Sequence, residues 1–279
     1  MKKVSIMFPL VLALSFVSCS QAETGDGKQQ TEDKKTIGLN PRQTGASQEV
    51  SDEEMTEEEK KARAKQLAVE TAEAFKVLKD KRDEYEKKMT DAKKTYEEQD
   101  ASLRDGLRLP NEVKKFTADE DKIYASLGYD NETIENLDKL IGFLQLGDST
   151  QSKTVEKKMV SDILTSLVSL EDTTKKIMDD HLKEDNLRKI ENNKVKIDTA
   201  NKELDGFIAS RTAFVEDIKK TIKEAKKKSE SSSEAEVKVE LKKIADTEPA
   251  TDKPDEAGYF HTKLEATKKN AIALDNLMK

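Results

Sequence analysis

The sequence predicts an all-α fold: an elongated multi-helix bundle with a long N-terminal helix, preceded by a disordered tether. Of the 279 residues, 38% are charged and only 5% are aromatic, a balance that suits long solvated helices. Apolar residues recur at steps of three and four over most of the chain after residue 51. No stretch alternates with the period of two that a strand requires, and there are only ten glycines and five prolines.

Residues 1–18 have the features of a secretory signal peptide. Lys2 and Lys3 precede an apolar stretch that ends at Val17, and the small residue Ser18 follows it as a processing site. The apolar stretch is too short to cross a bilayer, so it predicts a cleaved signal and not a membrane span.

Cys19, the only cysteine, stands directly after that site. The sequence Phe-Val-Ser-Cys that ends there resembles the lipobox of bacterial lipoproteins, with Phe16 where Leu is usual. We therefore predict that Cys19 is acylated and that fatty chains alone anchor the protein to the membrane. The alternative is ordinary cleavage after Ser18 or Ala22, which leaves an unpaired thiol in an oxidising compartment.

Residues 19–50 are predicted to be a lipidated flexible tether. They contain almost no apolar residues, so ordering them would cost entropy that no packing returns. The remaining residues, 51–279, are predicted to form one helical bundle domain.

The first helix is predicted to begin at Ser51, which stands in capping-box spacing with Glu54, and to end at Asp105. Gly106 and Pro110 then prevent its continuation. A stripe at steps of three and four predicts its buried face. Its members are Ala68, Thr71, Phe75, Leu78, Arg82, Tyr85, Met89, Ala92, Tyr96, Gln99 and Leu103.

Two shorter helices follow. The first is predicted to start at Thr117, with Glu120 three residues on, and to stop at Gly128. Asp130 is placed to cap the next helix, whose buried face runs from Ile134 to Leu144. The short connection predicts an angled pair.

The helix predicted from about residue 150 to 182 is the most apolar of the chain, and we expect it at the centre of the core. Its predicted buried residues are Val155, Met159, Ile163, Leu167, Leu170, Thr174 and Ile177. A break at residues 183–186 should separate it from a second long stripe. That stripe runs from Leu187 to Ala225, with Lys194, Asn201 and Arg211 as polar interruptions.

The C-terminal part predicts two more helices. The serine-rich residues 229–233 are expected at an exposed helix end or in a loop. A short helix should bury Val237, Leu241 and Ile244. A final helix of about twenty residues should bury Phe260, Leu264, Ala271, Leu274 and Met278.

Residue patterns of known catalytic chemistry do not occur, so we expect no enzyme, no metal and no cofactor. There is no phosphate-binding glycine loop, no nucleophile elbow and no histidine pair at metal-binding spacing. Asp179, Asp180 and His181 form the one acidic and histidine cluster. We interpret it as a solvated patch near a helix end, where the helix dipole favours protonated histidine.

The strongest local charge pattern is a lysine-rich segment that we consider a candidate partner-binding site. It comprises Lys219, Lys220, Lys223, Lys226, Lys227 and Lys228. It suits a sulfated glycan or an acidic protein surface, although lysines near a helix C-terminus also complement the helix dipole. No aromatic residues interleave the lysines and the net charge is −7, so nucleic acid is not expected as a partner.

Two further features concern partners. Lys279 offers both an ammonium and a carboxylate, the pair that lysine-binding kringle domains recognise. The long stripes at residues 68–103 and 187–225 are compatible with a coiled-coil homodimer, although packing within one chain is the simpler use of them.

One segment carries a family resemblance. The residues from Lys122 to Asp130, Lys-Ile-Tyr-Ala-Ser-Leu-Gly-Tyr-Asp, together with Glu132, Ile134 and Leu137, resemble a helix junction in a family of Borrelia surface lipoproteins. This is the plasmid-encoded, virulent strain-associated lipoprotein family, which includes complement regulator-acquiring surface proteins. By pattern, the resemblance extends over residues 60–225.

The resemblance implies a helical bundle that is lipid-anchored and exposed on the surface of the outer membrane. It also implies a role in complement or immune evasion through host serum proteins, either complement components, regulators such as factor H, or plasminogen. The family supplies no binding motif that can be matched residue by residue. An adhesin for host matrix or glycosaminoglycan, acting through the lysine-rich segment, and a periplasm-facing structural lipoprotein remain alternatives.

Overall fold

The computed structural model of the protein describes residues 55–99, 106–148, 152–231, 233–245 and 258–279. The predicted signal peptide, the predicted tether and Cys19 therefore lie outside the described residues. Within the described ranges every regular element is a helix and no strand occurs.

Eight α-helices make up most of the described chain, joined by one 3-10 helix and one π-helix. In order they are α1 (Glu57–Glu97), the 3-10 helix (Asn111–Asp119), α2 (Glu120–Ser126), α3 (Asn131–Phe143), α4 (Thr154–Lys175), the π-helix (Lys176–His181), α5 (Glu184–Ile190), α6 (Lys194–Ser231), α7 (Glu234–Ala245) and α8 (Tyr259–Met278). The predicted all-α bundle with a long leading helix is confirmed. α1 has 41 residues and, at 1.5 Å per residue, is about 61 Å long.

α1 begins at Glu57, so the predicted start at Ser51 is wrong. The Thr56 hydroxyl accepts a hydrogen bond from the backbone N–H of Glu59, and the Glu59 carboxylate accepts one from the backbone N–H of Thr56. The sequence thus contains two capping-box patterns close together, and the helix uses the second.

Most of the predicted stripe is the face of α1 that the bundle covers, but Ala68 is exposed and Leu103 lies outside the described residues. The buried residues of α1 are Thr71, Leu78, Tyr85 and Tyr96, and all four belong to it. The helix ends at Glu97, several residues before the predicted Asp105. All residues of α1 before Thr71 are exposed, so its first turns extend past the packed part of the bundle.

The chain resumes its helical course directly after Pro110, earlier than the predicted start at Thr117. The 3-10 helix begins at Asn111 and buries Val113 and Phe116 before it continues into α2. This start is earlier because Pro110 stands immediately before the first turn, where its missing N–H costs nothing.

The predicted junction between α2 and α3 is confirmed. Gly128 and Tyr129 have φ angles of 68° and 54°, in the left-handed region, which reverses the chain within two residues. The side chain of Asp130 accepts a hydrogen bond from the backbone N–H of Thr133 at 2.8 Å and so caps α3 as predicted.

α4 carries much of the predicted buried face, including Ile163, Leu167 and Leu170, but Val155 is 72% exposed and does not belong to it. The α-helical pattern stops at Lys175 and a π-helix continues to His181. α6, rather than α4 alone, holds the bundle together, because it packs against α1, α3, α5, α7 and α8.

The chain breaks at residues 182–183, where Lys183 is extended, so the predicted break at residues 183–186 is confirmed at its first residue, although residues 184–186 belong to α5. A second turn, at residues 191–193, was not predicted and precedes α6. The side chain of Asn193 accepts a hydrogen bond from the backbone N–H of Lys196. This Asn-capped start interrupts a stripe that looks continuous in the sequence.

α7 and α8 match the prediction, and every residue predicted to be buried in them is buried. α8 packs against α6 at Gly206, where a Cβ atom would lie only 2.7 Å from Nδ2 of Asn270. The absence of a side chain at Gly206 therefore permits this helix contact.

The buried apolar residues form two clusters. The larger one joins the 3-10 helix, α2, α3 and α7 to α4 as far as Leu170, to the second half of α6, to the start of α8 and to Tyr96 near the end of α1. The smaller one joins α5 and the π-helix to the first half of α6, the end of α8 and the middle of α1. Buried Arg211, Glu171, Thr174 and Thr267 lie between the two clusters along their helices and form a polar layer.

Candidate functional site

The lysine-rich segment lies on the last four turns of α6. Ile218, Ile222 and Ala225 of the same turns are buried, so the lysines occupy the other faces of the helix. Lys220, Lys223 and Lys227 are exposed, while Lys219, Lys226 and Lys228 are half-buried.

Two of these lysines meet acidic residues at the start of α3. Nζ of Lys219 lies 3.7 Å from a carboxylate oxygen of Asp130 and 3.6 Å from one of Glu216. Nζ of Lys223 lies 3.5 Å from a carboxylate oxygen of Glu132. Burial raises the pKa of Asp130, but hydrogen bonds from Thr133 and the Lys219 charge hold that pKa below its usual value.

Two other lysines pair near the end of α6. Lys226 donates a hydrogen bond of 2.6 Å to Glu230, which lowers the pKa of Glu230. Lys228 donates one of 2.5 Å to Glu240 of α7. Burial raises the pKa of Glu240, but Lys228 and Lys243 together bring it below its usual value.

Lys220 and Lys227 remain, and neither forms an ion pair within the described ranges. Most lysines of the segment are therefore paired with acidic residues, and the segment is not a continuous basic surface. An exposed ion pair such as Lys223–Glu132 stabilises by no more than about 1 kcal/mol, so a polyanionic partner can compete for Lys223 and can bind Lys220 and Lys227.

Lys279 lies at the end of α8, and its ammonium donates a hydrogen bond of 2.5 Å to Asp275 one turn earlier. Its side chain remains 69% exposed. A partner that binds the Lys279 ammonium has to displace this exposed contact.

His181 is not the solvated residue that the sequence predicts. It is only 4% exposed, its Nδ1 lies 3.5 Å from a carboxylate oxygen of Asp275 in α8, and its Nε2 has no hydrogen-bond partner within the described residues. Burial lowers the pKa of His181, although the Asp275 carboxylate opposes that effect. The prediction of a protonated histidine favoured by the helix dipole is wrong, because packing against α8 removes the imidazole from water.

The buried polar layer is the feature that sequence reasoning missed. The Arg211 guanidinium donates to the Thr174 hydroxyl at 3.0 Å and to the Ala125 carbonyl oxygen at 2.9 Å, and it lies 3.5 Å from a Glu171 carboxylate oxygen. Burial raises the pKa of Glu171 even though Arg211 opposes it. The only sequence sign of this layer is an arginine on an otherwise apolar stripe, which we interpreted as an interruption.

Two other properties concern the described part of the chain alone. It holds no cluster of three or more histidine, cysteine, aspartate or glutamate residues arranged to bind a metal ion. None of its helices combines the length and the apolar content that a bilayer crossing requires.

Three surfaces of the bundle are exposed and could bind a partner: the lysine-rich segment at the end of α6, the end of α8 and the first turns of α1. Comparison of the chain with protein-family models, with curated proteins and with solved structures gave no match.

Proposed function

We propose that this protein is a lipid-anchored lipoprotein of a bacterial outer surface that binds host serum proteins and thereby weakens complement or immune attack. The observation that carries the proposal is the sequence from Lys122 to Asp130, which resembles a helix junction of the Borrelia lipoprotein family and lies at the left-handed turn between α2 and α3. The lipobox-like residues before Cys19 support it independently.

The arrangement of the chain supports a partner-binding role. In this proposal the fatty chains on Cys19 insert into the membrane, residues 20–50 act as a flexible spacer, and the bundle follows. A flexible spacer of that length has an end-to-end distance of about 28 to 33 Å. Helices that pack through two apolar clusters offer a rigid surface, which limits the entropy lost on binding.

The test uses the mature chain from Cys19 with Cys19→Ser, immobilised and exposed to human serum. We expect retention of a complement component, a complement regulator such as factor H, or plasminogen. The control is the same chain after irreversible thermal unfolding. If the folded chain retains none of these proteins above that control, the serum-binding proposal is wrong.

Protease treatment of intact cells tests the location separately. A surface-exposed protein is degraded, whereas a periplasm-facing structural lipoprotein survives until the outer membrane is opened. Mass spectrometry of the purified product would show fatty acids on Cys19, and an unmodified thiol would contradict the anchor.

A second candidate function, adhesion to a glycosaminoglycan, is favoured by Lys220 and Lys227. They lie two turns apart on α6 with no ion pair among the described residues, beside lysines whose pairs are exposed. The variant Lys220→Gln/Lys227→Gln should weaken binding to immobilised heparin at low salt. Lys114→Gln/Lys202→Gln, which neutralises two other exposed lysines, is the matched control, and equal effects of the two variants would exclude a specific site.

A further inference from the structure

A cavity of about 180 Å³ lies between α1 and α6, beside the buried polar layer. Met89 and Ala92 of α1 and Val215 of α6 form its apolar wall. Tyr85 and Arg211 also line it, and these two side chains supply buried hydrogen-bond donors to the cavity.

Arg211 places a buried positive charge beside the cavity, since the residue is only 6% exposed. Its Nε donates to Thr174, and its Nη2 contacts the Ala125 carbonyl oxygen and Glu171. A guanidinium has five N–H groups, and these contacts use three of them. Within the described part of the chain, the two N–H groups on Nη1 make no hydrogen bond.

Tyr85 adds a second unused polar group. It is 7% exposed, and its hydroxyl is buried without a hydrogen-bond partner among the described residues. Burial raises the pKa of Tyr85 to about 12, so the hydroxyl keeps its proton at neutral pH and remains a donor. A buried polar group without a partner is costly, so a ligand that accepts this hydrogen bond recovers part of that cost.

The rim of the cavity is mostly basic. Lys88 is exposed and has no ion pair within the described ranges, and Lys219 is held only by the contacts of 3.6 and 3.7 Å to Glu216 and Asp130. Glu216 is the one acidic residue that lines the cavity. Glu171 partly neutralises Arg211 from the side of α4. The lining residues carry three basic groups against one acidic group, and Asp130 and Glu171 offset two of these basic groups from outside the lining. Polarity in the cavity therefore comes from unused donors on Arg211 and Tyr85, which favour a ligand that accepts hydrogen bonds.

We propose that the cavity lined by Tyr85 and Arg211 binds a small organic carboxylate with a compact apolar body. One carboxylate oxygen can accept from the N–H groups on Nη1 of Arg211 and the other from the Tyr85 hydroxyl, and the Met89, Ala92 and Val215 side chains contact the apolar body. The volume is below the range typical of drug-sized ligands, which limits the body to a few carbon atoms or one ring.

Benzoate is the probe and benzamide its neutral analogue, titrated against the full chain at constant ionic strength. Benzoate at about ten times its Kd should raise the Tm by about 3 to 6 °C, with one site per chain by calorimetry. Benzamide should leave the Tm unchanged. An equal effect of benzamide, or of inorganic phosphate, would overturn the assignment to a carboxylate, and no saturable shift with benzoate would overturn the site.

Two variants place the binding in this cavity. Arg211→Lys keeps the charge but removes the planar fork, and should weaken benzoate binding at least tenfold. Because a change at a buried arginine can perturb folding, Ala92→Leu provides a second test that fills the cavity without touching the polar layer. Ala235→Leu, at an exposed position of α7, is its control and should bind as the unaltered chain does. Binding that survives in folded Ala92→Leu would contradict the proposal.

Discussion

Arg211 of α6 donates a hydrogen bond of 2.9 Å to the backbone carbonyl oxygen of Ala125, in the last turn of α2. This carbonyl oxygen also accepts a hydrogen bond of 2.9 Å from the backbone N–H of Gly128, so Arg211 adds a second donor at the C-terminal end of α2. The other contacts of Arg211, to Thr174 and Glu171, lie on α4. One side chain thus connects three helices between the two apolar clusters.

Replacing Arg211 by Met should lower the free energy of unfolding by about 3 to 5 kcal/mol, because it leaves the buried Glu171 carboxylate without the arginine that pairs with it. Urea unfolding followed by circular dichroism measures this change. Arg188→Met is the control: its side chain is 66% exposed, and its ion pair to Glu184 is worth less than about 1 kcal/mol. Adding Glu171→Leu to Arg211→Met should recover part of the loss, and a double variant less stable than Arg211→Met would contradict this account.

Replacing Tyr85 by Phe should leave the stability of the ligand-free protein unchanged or raise it by about 1 kcal/mol, because the hydroxyl is buried without a partner. Tyr259→Phe is the matched comparison, since the Tyr259 hydroxyl donates a hydrogen bond of 2.6 Å to Asp217. That variant should be less stable than the unaltered protein by about 1 kcal/mol. Equal losses in the two variants would show that the Tyr85 hydroxyl has a partner.

Acidification below pH 6.5 should destabilise the protein through His181. Burial holds the pKa of the folded His181 below its ordinary 6.5, so the unfolded chain binds more protons in this range. The stability contributed by neutral His181 is present above pH 6.5 and is lost as the pH falls, at a rate of at most about 1.4 kcal/mol per pH unit. The carboxylate of Asp275 limits the effect.

His181→Gln should remove this part of the pH dependence, as measured by urea unfolding at pH 7 and pH 5. His261→Gln, at a half-buried position of α8, should retain it. A His181→Gln profile that runs parallel to that of the unaltered protein would show that other groups cause the acid sensitivity.

Thr56→Ala should increase hydrogen exchange in the first turns of α1 with little effect on global unfolding. A lost N-cap costs about 0.5 to 2 kcal/mol, and here it acts on a segment that has no buried side chain before Thr71. Ser51→Ala should change nothing, because Thr56 is the cap. Faster exchange in Ser51→Ala and not in Thr56→Ala would reverse the assignment.

The apolar stripes of α1, α6, α7 and α8 were predictable because a helix buried on one face repeats its apolar residues at a fixed period. The 3-10 helix could not be predicted, because it is too short for its apolar residues to show a period. The turn at residues 191–193 could not be predicted either, because the Asn193 cap leaves the spacing of the apolar residues on both sides unchanged. The π-helix before Leu182 likewise follows from packing against α8, and not from local residue preferences.

The lysines of the candidate surface were predictable as a group, but their pairing was not. Lys219, Lys223 and Lys228 meet Asp130, Glu132 and Glu240, residues on other helices that only the folded arrangement brings close. Arg211 is the clearest case. A polar residue in an apolar stripe resembles an interruption until its buried partners on other helices, Thr174 and Glu171, are known.

The division of the interior into two apolar clusters makes the two ends of the bundle separately adjustable. α2, α3 and α7 contribute only to one cluster and α5 only to the other. Effects of substitutions at distant sites without shared contacts add nearly independently, so a change in the stability of one cluster should simply add to a change in the other. Sequence variation within one cluster can then accumulate while the packing energy of the other is retained.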